Sequence, residues 1–337
     1  MKSIFLFLLL LFPFLLFSQK PVPEDWGYTH IPFLFEGDTV DIIVLSGGGN
    51  HENYKKPLFL FLQGSLPRPL FSYSNSGDLY GSPYPFNPMA HFKDYHFVTI
   101  GKPGVPLIAK SEELAKPYYN FVDQETGSFP RKYCQNNHLD YYVRRNKAVI
   151  DFLSKKDWID DSKTVVAGHS EGVVIGFKMA IDKVKMSHLI LLNGNLMGRI
   201  ISEVAFRRKT NPNDSTAAEQ VFDSWKELSK MTTYSDDCSN GDSQKATASF
   251  SYPFMQHLSD IDIPIYLGYG TKDRSVLLND YLRYETIRLG KENYHFKAYH
   301  GLNHSFAKVK ADGQADYKDG RFDEVAANFF NWLKTQK

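Results

Sequence analysis

The chain has 337 residues, of which 42% are hydrophobic and 23% are charged, and its 39 Lys and Arg nearly balance its 38 Asp and Glu. This length suffices for one large domain or two, with a sizeable buried core. The even charge argues against a nucleic-acid-binding protein, which usually has a basic excess. The 26 Phe and 20 Tyr exclude a largely disordered chain.

The N-terminus has the composition of a signal peptide. The basic Lys2 precedes an apolar run from Ile4 to Phe17, and the sequence becomes polar at Ser18. A charged start, an apolar core of about 7–15 residues and a small residue at its end are typical of an export signal, whereas a membrane-spanning helix needs about 20 apolar residues. An uncleaved membrane anchor is the alternative. We expect residues 1–18 to be a cleaved signal peptide and the mature protein to be secreted or periplasmic, without stable membrane insertion.

Export changes the interpretation of the two cysteines, Cys134 and Cys238. They are too far apart in the sequence to form a CxxC metal-binding pair. In an oxidising compartment two cysteines can form one disulfide. Two independent thiols are the alternative, because a sequence does not show whether the two Cα atoms come within about 7 Å. A disulfide here would join a loop to a later insertion.

Two β-rich segments near the start of the mature chain, 29–35 and 39–45, predict an antiparallel hairpin. Further strands are predicted from apolar or β-rich runs at 57–62, 95–100, 163–167, 188–192, 263–269 and 294–299. Helices are predicted from apolar residues at helical spacing at 139–153, from 171 onward, at 277–287 and at 322–333. Strands that alternate with helices indicate an α/β fold with a mostly parallel, doubly wound sheet that is covered by helices on both faces.

Residues 195–260 interrupt this alternation. Thr216 and Glu219 have the spacing of a capping box. The apolar residues behind them share one helical face: Val221, Phe222, Trp225 and Leu228. We expect an inserted helical cap within one domain that spans residues 20–337. Such a cap would cover the substrate pocket, and its Tyr, Trp and Phe predict an apolar or aromatic acyl or alcohol group.

The most informative motif is Gly168-His169-Ser170-Glu171-Gly172, which lies between an apolar strand and a predicted helix. A serine on so sharp a turn projects its hydroxyl clear of the sheet, and small residues on either side let the strand and the helix approach closely. A serine hydroxyl is a poor nucleophile unless a base takes its proton and a third group orients that base. In this topology the acid follows the serine in the chain and the histidine comes last.

Candidates for both partners follow later strands. Asp273 stands at the carboxyl end of a predicted strand, whereas its rival Asp280 falls inside the next helix. His304 lies in the loop after the last strand and is preferred to His300, which lies closer to that strand. The loop has to reach back to Ser170, and His304 is the better placed of the two. As alternatives, Ser170 and Asp273 are ordinary helix-capping residues.

In this order the three motifs resemble the α/β-hydrolase fold superfamily, over about residues 55–332. The resemblance rests on Gly168-His169-Ser170-Glu171-Gly172, Gly270-Thr271-Lys272-Asp273 and Asn303-His304-Ser305-Phe306. It implies a nucleophile at Ser170, an orienting acid at Asp273 and a general base at His304. The resemblance implies no metal and no organic cofactor.

The resemblance also implies an oxyanion hole that is formed by two backbone N–H groups. One belongs to Glu171, which follows the nucleophile. The other is expected at Ser65 or next to it, in the loop after the strand 57–62, although Gln63-Gly64-Ser65 departs from the His-Gly form that is common there.

Three residues are candidates for substrate contact: Gly64, Tyr73 and Glu171. Glu171 either favours the positive end of its helix or binds a cationic group of the substrate, such as a free amine. Tyr73, with Tyr80 and Tyr84, either lines the pocket or covers the sheet.

These motifs predict an exported serine hydrolase that cleaves carboxylic esters or small peptide and amide substrates through an acyl-enzyme on Ser170. The expected partner is therefore a small-molecule ester or a short peptide, and no nucleic acid. Two alternatives remain open. One is an acyltransferase that passes the same acyl group to an alcohol, and the other is a non-catalytic binding protein with the same fold.

Overall fold

The computed structural model describes residues 20–47, 51–239 and 241–336. The predicted signal peptide, residues 1–18, lies outside the described residues. The strands are β1 (Tyr28–Phe35), β2 (Asp38–Leu45), β3 (Lys56–Leu62), β4 (Phe71–Tyr73), β5 (Leu79–Gly81), β6 (His96–Ile100), β7 (Ile108–Lys110), β8 (Ile159–His169), β9 (His188–Leu192), β10 (Ile265–Gly270), β11 (Tyr294–Tyr299), β12 (Ala307–Val309) and β13 (Ala315–Gly320). The helices are α1 (Arg131–Asn136), α2 (Leu139–Leu153), α3 (Glu171–Ile181), α4 (Gly198–Thr210), α5 (Ala217–Leu228), α6 (Gln244–Ser249), α7 (Val276–Arg288) and α8 (Phe322–Thr335).

The main sheet has eight strands in the order β1-β2-β6-β3-β8-β9-β10-β11. Strand β2 pairs antiparallel with both β1 and β6, and the remaining neighbours in this sheet pair parallel. The predicted fold class, a mostly parallel α/β sheet with an antiparallel N-terminal hairpin, is confirmed. Because β3, β8, β9 and β10 are parallel neighbours, their carboxyl ends meet at one edge of the sheet.

The central strand β3 is buried on both faces. Leu58, Leu60 and Leu62 belong to the core that includes the inner faces of α2 and α3, and Phe59 and Phe61 belong to the core that includes α8. Successive side chains of a strand point to opposite faces. A continuous apolar run therefore packs both layers of helices at once, as is typical of a parallel sheet.

Five short strands form outside the main sheet, where the sequence predicts no strand. Strands β5, β4 and β7 make a three-stranded sheet, and β12 pairs with β13. Each of the strands in the first sheet has three residues. Such a segment is too short to show a period, and the pairing of β4 with β7 joins parts of the chain that are distant in sequence.

Helix α7 forms where its apolar residues predict it, but those residues do not face the core. Leu277 and Ile287 are 75% and 70% exposed, whereas the buried face carries Asn279, Leu282 and Thr286. The apolar face that indicates the helix is therefore exposed, because the neighbouring elements pack against the other side of the helix.

The segment between β9 and β10 contains α4, α5 and α6. Helix α4 packs against α5 and α6, and α6 packs against α2. The capping box expected at the start of α5 does not form, because the Thr216 hydroxyl donates to Asp214 at 2.7 Å instead of capping the helix.

A disulfide joins Cys134 of α1 to Cys238 in the connection before α6, with the two Cα atoms 5.5 Å apart. It ties α1 to the segment between β9 and β10, as expected of such a bridge. Within the described ranges, no helix combines the length and the hydropathy that a membrane span requires.

Candidate active site

Ser170 occupies a sharp turn between β8 and α3, with φ 56° and ψ −117°. A non-glycine residue with positive φ is strained, and such strain concentrates at functional sites. The flanking glycines make the turn possible. A Cβ at Gly168 would lie 2.1 Å from the carbonyl oxygen of Gly172, and a Cβ at Gly172 would lie 2.3 Å from that of Leu62. No side chain fits at either position, so strand, turn and helix stay in close contact.

The structure brings Ser170, His304 and Asp273 together. His304 Nε2 is 3.0 Å from Ser170 Oγ, and His304 Nδ1 is 2.6 Å from Asp273 Oδ2. A carboxylate only accepts hydrogen bonds, so the ring proton lies on Nδ1. The unprotonated Nε2 then accepts the hydroxyl hydrogen of Ser170. This arrangement can remove the proton of a serine as it attacks a carbonyl.

The rival acid and the rival histidine lie elsewhere. Asp280 accepts a hydrogen bond from the Tyr269 hydroxyl at 2.7 Å, and His300 is an exposed residue in the turn after β11.

Asp273 is held in the charged form. It is 3% exposed, and burial alone would raise the pKa of its carboxyl group. The hydrogen bonds from His304 and Ser275 outweigh burial, so the pKa lies below its ordinary value. Ser275 donates its backbone N–H to Asp273 Oδ1 at 2.6 Å. A charged Asp273 can therefore orient the imidazole and stabilise it when it takes up a proton.

Two residues that the sequence analysis missed hold the backbone of His304. Asn193, at the end of β9, donates to the carbonyls of Asn303 and His304 at 3.0 and 2.9 Å. Its Oδ1 accepts the N–H of Gly270 at 2.8 Å. The histidine loop is thereby joined to the ends of β9 and β10. A polar residue directly after a buried strand is the signal that points to Asn193.

His169 is the second of these residues, and its Nε2 donates to the carbonyl of His304 at 3.0 Å. Burial, with a smaller contribution from the neighbouring His304, lowers the pKa of His169 to about 4. The ring is therefore neutral near pH 7, with its proton on Nε2 because a carbonyl only accepts. It serves as a fixed donor beneath the His304 loop.

The loop after β3 passes beside the nucleophile. A Cβ at Gly64 would lie 3.4 Å from Cβ and 3.7 Å from Oγ of Ser170. Ser65 follows, and its carbonyl accepts the hydroxyl of Tyr133 at 3.0 Å. On the other side of Ser170, Glu171 is the first residue of α3. The N–H groups in the first turn of a helix have no partner within the helix, so this one is free to bind an anion.

A cleft of about 550 Å³, including its open mouth, lies beside Ser170 and His304. Helix α4 forms one wall, and the lining combines polar and charged side chains with the apolar Val174, Ala205 and Phe250. The side chains that contribute are Glu171, Val174, Asn193, Asn195, Arg199, Ser202, Ala205, Phe250, Arg274 and Ser275. Tyr73, expected as a substrate contact, is instead buried within β4. Tyr84 is buried in the core with Phe61, and the exposed Tyr80 bonds to Tyr119.

The Glu171 carboxylate lines the cleft but is already paired. Arg199 donates to its Oε2, and Lys102 lies 3.5 Å from its Oε1. Arg199 also pairs with Asp242 at 3.1 Å. Burial lowers the pKa of Lys102 to about 8, although Glu171 opposes the shift. Glu171 stands in the first turn of α3, where one expectation placed its role. Its carboxylate also pairs with two cations of the chain, which neither expectation includes.

In the part of the chain that the structure describes, no group of three or more His, Cys, Asp and Glu side chains is arranged to hold a metal ion.

Comparisons with known proteins agree with this architecture. Residues 237–337 match the profile of the dienelactone hydrolase family. No curated protein sequence is detectably similar to the chain. Est1E from Butyrivibrio proteoclasticus has a similar structure, with a TM-score of 0.53 and 12% identity, over 91% of this chain and 99% of that one. The chain therefore has the α/β-hydrolase fold.

Two peptidases share this fold. The Pyrococcus horikoshii acylaminoacyl peptidase has a TM-score of 0.53 and 15% identity, over 90% of this chain and 41% of that one. Porphyromonas gingivalis dipeptidyl peptidase 4 has a TM-score of 0.51 and 13% identity, over 90% of this chain and 35% of that one. The chain thus spans less than half the length of either peptidase. Identities this low establish the fold alone.

Proposed function

We propose that the protein is a serine hydrolase that cleaves carboxylic esters or small peptide and amide substrates. The observation that carries the proposal is the chain of contacts from Ser170 through His304 to Asp273, with 3.0 Å between Oγ and Nε2 and 2.6 Å between Nδ1 and Oδ2. The dienelactone hydrolase profile that matches residues 237–337 supports a hydrolase, as do the esterase and peptidases that share the fold.

In the proposed reaction, Ser170 Oγ attacks the carbonyl carbon of the substrate as His304 Nε2 takes its proton. Asp273 stabilises the resulting imidazolium. The oxyanion accepts the backbone N–H groups of Glu171 and Ser65. His304 then gives the proton to the leaving alcohol or amine, which leaves an acyl-enzyme on Ser170. A water that is deprotonated by His304 releases the acid and restores the serine.

The lining of the cleft argues for a polar or anionic group on the substrate. Arg274 directly follows Asp273 and lies over the ring of Phe206 at 5.0 Å. Of the residues that the structure describes, no carboxylate pairs with it. Arg199 adds a second guanidinium, although Glu171 and Asp242 balance its charge. We therefore prefer an anionic substrate to the apolar or aromatic one that the cap sequence indicates. Among the aromatic residues of the cap segment, Phe250 lines the cleft, whereas Phe222 is exposed on α5.

The proposal includes export and a cap. The apolar run at residues 4–17 supports cleavage of a signal peptide and a secreted or periplasmic location. The disulfide between Cys134 and Cys238 is consistent with an oxidising compartment. Residues 195–260 would act as a cap within the single domain 20–337, since α4 in this segment forms a wall of the cleft.

Labelling with a fluorophosphonate, together with turnover of 4-nitrophenyl esters and aminoacyl anilides, tests the proposal. Ser170→Ala should abolish labelling and lower kcat by roughly 10⁴–10⁶. The matched control is Ser224→Ala, since Ser224 is exposed on α5 and its hydroxyl donates to Gln220. Turnover of Ser170→Ala within tenfold of wild type would exclude the proposed nucleophile.

The same experiment separates the alternatives. A folded wild-type protein that is not labelled would favour a binding protein. Formation of a new ester in the presence of added alcohols, at the expense of the free acid, would favour an acyltransferase.

A further inference from the structure

A buried tyrosine hydroxyl contacts the loop that follows β3. Tyr133 of α1 is 3% exposed, and its hydroxyl donates to the backbone carbonyl of Ser65 at 3.0 Å. A buried hydroxyl without a partner is costly, so this hydrogen bond holds the two groups together. It joins α1 to the loop that passes beside Ser170.

Helix α1 has only six residues, and contacts with other parts of the chain hold it in place. The disulfide from Cys134 to Cys238 starts at the residue next to Tyr133. Arg131 pairs with Asp236 at 2.7 Å. Phe129 packs edge-on against the Tyr133 ring, with 5.8 Å between centroids.

These contacts join α1 to the connection before α6 and also to α6 itself, because Lys245 of α6 donates to the carbonyl of Gln135 at 3.1 Å. The short helix therefore holds Tyr133 as a fixed support.

The loop itself has one further tether close to Ser65. The N–H of Phe121 donates to the carbonyl of Pro67 at 2.8 Å. Between this tether and the end of β3 at Leu62, the Tyr133 hydroxyl is the contact that restrains the peptide group after Ser65. The carbonyl of Ser65 and its N–H belong to adjacent peptide groups that share one Cα. Fixing one group therefore limits the directions in which the other can point.

We propose that Tyr133 is a positioning residue that aims the Ser65 N–H at the oxyanion, with the disulfide between Cys134 and Cys238 holding Tyr133 in place. This inference rests on the proposed function, in which Ser65 supplies the second oxyanion donor. Tyr133 touches neither the substrate nor the reacting atoms. It acts through Ser65 alone.

Loss of the Tyr133 hydroxyl should weaken only the binding of the transition state. An oxyanion donor gains its full strength only when negative charge develops on the carbonyl oxygen. Loss of an interaction made only in the transition state lowers kcat and leaves KM unchanged. Removing a whole oxyanion donor costs about 10²–10³ in kcat. A donor that is present but poorly aimed should lose about tenfold.

The test is Tyr133→Phe, which deletes the hydroxyl and keeps the ring. The matched control is Tyr294→Phe. Tyr294 is also buried, and its hydroxyl also donates to a backbone carbonyl at 3.0 Å, that of Leu258. Both variants lose one buried hydrogen bond. Only Tyr133→Phe should lower kcat for 4-nitrophenyl acetate about tenfold with KM within twofold. Its second-order rate of fluorophosphonate labelling should fall in parallel.

The double variant Cys134→Ser/Cys238→Ser is an independent test of the same support. It also tests the proposal if Tyr133→Phe does not fold. It should lower kcat in the same way. Adding Tyr133→Phe to it should give no further loss, because both changes release the same support.

The inference is overturned if Tyr133→Phe keeps kcat within twofold of wild type, if Tyr294→Phe loses as much, or if the losses from the disulfide and the tyrosine multiply. These results leave Ser170→Ala inactive and the proposed function intact. An active Ser170→Ala would instead overturn the proposed function, and this inference with it.

Discussion

Asn193→Ala tests how the fold positions the histidine of the proposed active site. Asn193 is 1% exposed, and its side chain makes three hydrogen bonds, to the N–H of Gly270 and to the carbonyls of Asn303 and His304. Alanine can make none of them. The substitution therefore removes the side-chain link between the loop that carries His304 and the ends of β9 and β10.

The expected loss of stability depends on which backbone groups keep a hydrogen-bond partner after the substitution. The His304 carbonyl retains the bond from His169, and the Asn303 carbonyl retains the N–H of Phe306. The Gly270 N–H loses its side-chain acceptor, Asn193 Oδ1. An unpaired buried group costs about 1–3 kcal/mol, and each of the other lost bonds about 0.5–1.5 kcal/mol. We expect a decrease of about 3 kcal/mol in the free energy of unfolding.

Activity should fall more than stability suggests, because a displacement of about 1 Å in a catalytic group can cost on the order of 10²-fold in rate. Urea unfolding followed by tryptophan fluorescence measures stability, and hydrolysis of 4-nitrophenyl acetate measures kcat. Asn293→Ala is the matched control. The Asn293 amide also bridges two carbonyls, those of Ile261 and Ile263, at 3.0 and 2.9 Å. It should lose stability and keep kcat.

The reasoning fails if Asn193→Ala costs less than about 1 kcal/mol, since a buried donor would then have lost its partner at little cost. It also fails if Asn193→Ala and Asn293→Ala change kcat equally.

Three further predictions address the cleft, the turn and the pH dependence. Arg274→Gln should lower kcat/KM about tenfold for a 4-nitrophenyl ester whose acyl chain ends in a carboxylate, and should not affect kcat/KM for the neutral methyl ester of the same length. The control is Arg283→Gln, which removes a guanidinium from α7 outside the cleft lining. Equal losses of kcat/KM on both esters would contradict the anionic substrate. Gly168→Ala should prevent folding or lower the free energy of unfolding by more than about 3 kcal/mol, because its Cβ would lie 2.1 Å from a backbone oxygen. A variant whose melting temperature, followed by circular dichroism, equals that of the wild type would refute this. The lowered pKa of His169 means that the native state binds a proton at this ring less readily than the unfolded chain does. His169 therefore contributes stability that is complete above pH 6.5 and is lost as the pH falls towards about 4. The free energy of unfolding should fall less steeply across this range in His169→Gln than in the wild type, and identical slopes would disprove the assignment.

Much of the fold could be predicted from the sequence because its determinants are local. The strand β3 appears as an unbroken apolar run, and burial on both faces requires such a run. Gly168 and Gly172 indicate the turn at Ser170, because the close approach of the backbone at both positions leaves no room for a side chain. The order of serine, acid and histidine follows from parallel strands whose carboxyl ends meet at one edge.

Other features could not be predicted because they depend on contacts between distant parts of the chain. The apolar residues of α7 indicate a helix, but only packing decides which face is buried, and Leu277 remains exposed. Glu171 looks like an ordinary first-turn acid. Its partners Lys102 and Arg199 lie 69 and 28 residues away in the sequence.

By itself, the sequence determined the α/β alternation, the strained turn at Ser170 and the two residues, Asp273 and His304, that could reach it. Periodicity and small-residue spacing record interactions within a few residues, and the alternation and the turn consist of such interactions. Asp273 and His304 were indicated by their order after later strands. Tertiary structure alone decided which charged residues line the cleft, the hydrogen bonds by which Asn193 holds the histidine loop and the contact between Tyr133 and Ser65. Each of these joins groups that meet only after the sheet has formed, and no local pattern in the chain records them.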